Sequence, residues 1–90
     1  MADQAETSVL AFPCDFPIKV MGKRQAGFAQ AIVGVVKRHA PDFDAATLEM
    51  RASREATYLS LTLTIRAVSR EQLDALYREL CDHPMVTMVL

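Results

Sequence analysis

Ninety residues give room for one domain around one modest core. With 51% hydrophobic and 23% charged residues the chain is not of disordered composition, and a formal net charge of −1 leaves no basic excess for holding nucleic-acid phosphate. Two cysteines, Cys14 and Cys81, are too few for a secreted disulfide scaffold, and no stretch approaches the roughly 20 apolar residues of a membrane span.

Residues 1–11 are small and polar without a period, and read as a flexible tail ahead of a single domain over 12–90. Asp3 and Glu6 stand where a signal peptide carries basic residues, so the expected compartment is the cytoplasm, with both thiols reduced. Pro13 and Pro17 then hold the backbone extended. Phe16, Ile18 and Val20 alternate with Pro17, Lys19 and Met21, the period of a half-buried strand that ends at Gly22.

From about Gln25 the period lengthens. Phe28, Ile32, Val35, Val36 and His39 fall on one face of a helix. Lys37, Arg38 and His39 suit the negative end of its dipole, and Pro41 stops it. Beyond a loop over 42–46, Leu48 and Met50 alternate with Glu49 and Arg51 in a short, charged strand, and Ser53 to Thr57 turns the chain. Leu59, Leu61, Leu63 and Ile65 alternate with Ser60, Thr62, Thr64 and Arg66, the clearest strand of the sequence. Ser69, with Gln72 three residues on, forms a capping box for a second helix whose stripe is Leu73, Leu76, Tyr77 and Leu80. His83-Pro84 ends that helix, and Met85 to Leu90 reads as a last, wholly apolar strand.

Strand, helix, strand, strand, helix, strand is an α+β order. Two right-handed crossovers around a hairpin make it ferredoxin-like: a four-stranded antiparallel βαββαβ sheet with both helices on one face.

Several stretches carry a resemblance. They are Phe12-Pro13 with Phe16-Pro17-Ile18-Lys19-Val20-Met21-Gly22, then Arg38-His39-Ala40-Pro41, Leu76-Tyr77-Arg78-Glu79-Leu80 and Val86-Thr87-Met88-Val89-Leu90. Together they resemble the YbeD-like family of small uncharacterised bacterial proteins. That family is similar in fold to ACT domains, the amino-acid-sensing modules of metabolic enzymes. The resemblance therefore implies a regulatory role, with any ligand beside the turn after the first strand.

The residues of that turn, Gly22, Lys23, Arg24 and Gln25, are the candidate ligand site. A helix starts there without a Ser, Thr, Asp or Asn cap, and two cations crowd the positive end of its dipole. A small bound anion, carboxylate or phosphate, would relieve both. Water on the amides and outward-pointing side chains would do so as well. His39, His83, Cys14 and Cys81 form no pair at metal-ligand spacing, so neither metal nor other cofactor is expected. Ser8, Ser53, Ser60 and Ser69 have plain tail, turn, strand or cap roles, and the chain lacks asparagine altogether. No catalysis is expected.

The open sheet face offers Tyr58 as its one aromatic, too few to stack RNA bases. The last strand should lie at the sheet edge beside the first. An uncharged edge invites pairing, which makes Met85, Thr87 and Val89 candidate contacts for a protein partner or a second copy, unless the segment around Phe12 covers them. The leading expectation is a non-catalytic module sensing a small anion. The alternative is a protein-interaction domain without ligand.

Overall fold

The leucines that alternate along Tyr58–Ala67 set the frame: with every second side chain apolar, this strand (β3) can bury one face only. The computed structural model describes residues 11–90, so the tail, apart from Ala11, lies outside the described residues. Ahead of β3 come β1 (Cys14–Lys23), α1 (Phe28–His39), a single 3₁₀ turn over Ala45–Thr47 and β2 (Glu49–Ala52). After it come α2 (Arg70–Asp82) and β4 (Met88–Val89). The strands form one four-stranded sheet in the order β2-β3-β1-β4, every neighbouring pair antiparallel. This is the βαββαβ plan expected from the order of elements.

Register decides which side chains are inside. Ile18 lies opposite Leu63 and Val20 opposite Leu61, and all four are buried. On them sit Phe28, Ile32, Val35 and Val36 of α1 and Leu73, Leu76 and Leu80 of α2, so both helices cover the same face. Fully burying one such side chain stabilises by about 1.5–3 kcal/mol. Ala40 and Phe43, in the loop that follows α1, are buried with them.

Polar groups of α2 tie it to the C-terminal end of α1. Ser69 Oγ accepts from the Gln72 amide at 3.0 Å, which caps α2. The Gln72 side chain turns to Val68 rather than closing the box on Ser69: its Oε1 accepts from the Val68 amide at 2.7 Å. Its Nε2 donates to the His39 carbonyl at 2.8 Å, so α2 starts where α1 ends. Two turns further along α2, Glu79 pairs with Arg38 and lies 2.6 Å from His39 Nε2.

Tyr77 meets Phe16 edge-on, with ring centroids 6.4 Å apart at 85°. Burial pushes its phenol above the ordinary value of 10.0, with Cys81 adding to the effect. Because the folded pKa is raised, this stability is fully present below pH ~10 and is lost as pH rises through the folded pKa. Denaturant titrations between pH 9 and 12 should therefore show the wild type losing stability more steeply than Tyr77→Phe. Equal slopes would rule the phenol out.

Four details depart from expectation. β1 starts at Cys14 rather than Phe16, and α1 starts at Phe28 rather than near Gln25. Gly27, in the left-handed region at φ 83°, holds the chain out of helix until then. Met50 lies opposite Leu61 on the helix side, yet it stays 54% exposed because neither helix reaches that edge. The last strand is only Met88–Val89. His83 folds the start of it into a turn, its Nδ1 accepting from the Met85 amide and its carbonyl from the Val86 amide.

Candidate functional site

β1 runs directly under the first residue of α1, and Gly22 is where they touch. A Cβ there would run into the Met85 carbonyl oxygen and approach the Phe28 ring to 2.7–2.8 Å. The missing side chain lets β1 pass beneath α1 before the turn departs. Gly22 is thus buried beneath the site rather than on its surface.

The next residues do reach the surface. Lys23, Arg24, Gln25 and Ala26 form one wall of a cleft of about 730 Å³, and Ala56, Thr57 and Leu59 of the β2–β3 hairpin form the other. The Arg24 amide donates to the Thr57 carbonyl at 2.8 Å and fixes the two walls together. Ala56, at the hairpin rim, adopts φ 58°, a region non-glycine residues seldom occupy. Sequence reasoning missed this second wall, since no local signal in 53–57 announces what packs against it.

Charge in the cleft is one-sided. Lys23 and Arg24 line it and no acidic side chain does. Among the described residues neither has an acidic partner within 4.0 Å. Glu55 borders a neighbouring hollow together with Arg54. Gly27 offers α1 no side-chain cap, and the first turn of α1 holds no acid, so the helix adds positive potential on the same side. The arrangement can hold a small anion between two cations. Among the described residues it has no pair of acids, no nucleophile beside a base and no cluster able to hold a metal.

The candidate partner contacts sort differently from expectation. Val89 lies opposite the buried Val20 and faces the core side, and Met85 packs against the core from its turn. Thr87 is exposed. The residues of this segment that look outward beside it are Met88 and Leu90, 48% and 63% exposed. β4 does lie at the edge beside β1, while Phe12 joins the core. Cys14 and Cys81 are both free, the first half-buried and the second exposed. No helix of the described residues is long and apolar enough to cross a membrane.

The element order and sheet topology are those of an ACT-like fold. The ACT domain of a GTP pyrophosphokinase from Chlorobium tepidum superposes with a TM-score of 0.65 at 23% identity, over 86% of this chain and 97% of that one. Protein HP0495 of H. pylori superposes with a TM-score of 0.73 at 13% identity, over 90% of this chain and 85% of the other. The chain belongs to the family described as "Protein of unknown function (DUF493)", whose model matches residues 7–90 and so spans the motifs that resemble YbeD-like proteins. A UPF0250 protein of Nitrosomonas europaea is 62% identical over 94% of this chain and 98% of its own length. One from Bordetella pertussis is 56% identical over 94% and 93%.

Proposed function

We propose that the chain is a non-catalytic, cytoplasmic regulatory module that takes a small anionic metabolite in the cleft between the β1–α1 turn and the β2–β3 hairpin. The observation that carries this is the pair Lys23 and Arg24, lining a cleft without an acidic wall at the uncapped start of α1. Gln25 adds an amide beside them, and Gly22 sets the turn's path. The ligand would bridge the two walls, so binding at the turn would be felt in the hairpin.

The test is a titration of isotope-labelled protein with inorganic phosphate and a panel of small mono- and dicarboxylates. Saturable NMR shifts are expected at residues 23–27 and at Ala56 and Thr57, and should disappear in the Lys23→Ala, Arg24→Ala double variant. A ligand at 100 times its Kd adds ~2.7 kcal/mol, roughly 10–20 °C in Tm for a domain of this size. A panel that moves neither wall would sink the reading.

A second reading, a surface that meets another polypeptide, is favoured by a separate observation: the exposed Met88 and Leu90 on the open face of the sheet.

A further inference from the structure

The face of the sheet that carries no helix is ordered by register into rows. In one row Leu90 of the last segment sits beside Lys19, which lies opposite Thr62, which lies opposite Glu49. In the next, Met88 lies opposite Met21, Met21 opposite Ser60, and Ser60 opposite Arg51. Residues directly opposite each other in antiparallel strands point to the same face. Both rows therefore point outward, apolar at the β4 side and charged at the β2 side. Among the described residues, Lys19, Glu49 and Arg51 have no opposite charge within 4.0 Å.

Such a grid is complementary to itself under one two-fold operation. Place the axis in the plane between two stacked sheets, perpendicular to the strands, at the level of Val20 and Leu61. Each row then covers the other row of the second copy. Leu90 falls on the second copy's Met88, and Met88 on its Leu90. Thr62 meets Ser60 in the same reciprocal way, and the aliphatic stem of Lys19 covers Met21. Glu49 falls on Arg51 and Arg51 on Glu49, two ion pairs from one symmetry element. The other in-plane axis, parallel to the strands, would lay Leu90 on Glu49 and Met88 on Arg51, apolar on charged. An isologous contact requires this kind of self-match, and sheets stack face to face about 10 Å apart.

We infer that this open face is the interface of a face-to-face, two-fold dimer of the chain, with the strands of the two sheets antiparallel across it and Glu49–Arg51 as the reciprocal pair. The inference is independent of the anion cleft, which lies at the end of the sheet between turn and hairpin.

Charge reversal with rescue tests it. Sedimentation and light scattering over a dilution series up to about 1 mM, the weak limit for a specific complex, should give twice the 10.0 kDa of one chain. Arg51→Glu and Glu49→Arg should each raise the dimer dissociation constant by tenfold or more, since each sets like charges against each other twice. The double reversal restores opposite pairs and should return the constant to within about threefold of wild type. Arg51→Glu takes the net charge of each chain from −1 to −3 and Glu49→Arg takes it to +1, so a non-specific charge effect would weaken the first dimer and leave the second unchanged. Both positions of the charge test, Glu49 and Arg51, are exposed, and circular dichroism checks that each variant is folded. A chain that stays monomeric throughout overturns the inference. So does a dimer indifferent to the single reversals, as edge-to-edge pairing through β4 would be, or a double reversal that fails to rescue.

Discussion

Replacing Gly22 with alanine is expected to cost about 3 kcal/mol or more, the upper end of what over-packing costs in a close-packed core. For a domain of this size that lowers Tm by about 12 °C or more. Two obstacles meet the added methyl, and they differ in kind. The Phe28 ring belongs to a side chain that can tilt, but the Met85 oxygen belongs to backbone held by the His83 turn. Relief therefore requires moving β1, α1 or the segment leading to β4. Chemical denaturation of the Gly22→Ala variant measures the cost directly. A loss below 1 kcal/mol would mean that the chain parts easily at this point and that the turn bearing Lys23 is not rigidly placed.

Phe28→Ala is the other large effect. The ring is 1% exposed at the first position of α1, and truncating a buried phenylalanine costs about 3–5 kcal/mol. It also removes one of the two obstacles above Gly22. In a double-mutant cycle, Gly22→Ala with Phe28→Ala should cost less than the sum of the single changes, by about 1 kcal/mol. Strict additivity would show that the Met85 carbonyl alone excludes a side chain at position 22. The cycle can be read from urea midpoints, provided the m-values of all four proteins agree.

Much of the fold was legible because its signals are local. The alternation from Leu59 to Ile65, the stripe from Phe28 to Val36 and the Ser69 cap each lie within one element, and each appears where the pattern puts it. What escaped depends on distant partners. Gly22 read as the end of the first strand and the first residue of the ligand turn, but its reason is a carbonyl brought up by the last segment of the chain. Met50 has the right parity for the core and fails because its strand runs past the helices. Met85 to Leu90 has strand composition throughout, yet a histidine ring nitrogen captures the Met85 amide and delays the strand to Met88. The same shortfall governs the site. Lys23, Arg24 and Gln25 could be picked out from an uncapped helix start, but the hairpin wall facing them could not, because only the topology brings Thr57 to Arg24.

The central pair of the sheet, β1 with β3, joins segments about 44 residues apart along the whole length of both strands, Cys14–Lys23 against Tyr58–Ala67. During synthesis, then, β1 and α1 leave the ribosome with nothing to pair against. The apolar faces of Ile18, Val20 and Ile32 must wait, exposed or held by a chaperone, until Ile65 and then Leu80 have emerged. A chain stopped after β2 has two strands that do not pair with each other and one helix, and lacks the central strand between them. Its interior closes only once β3 and α2 have joined β1 and α1.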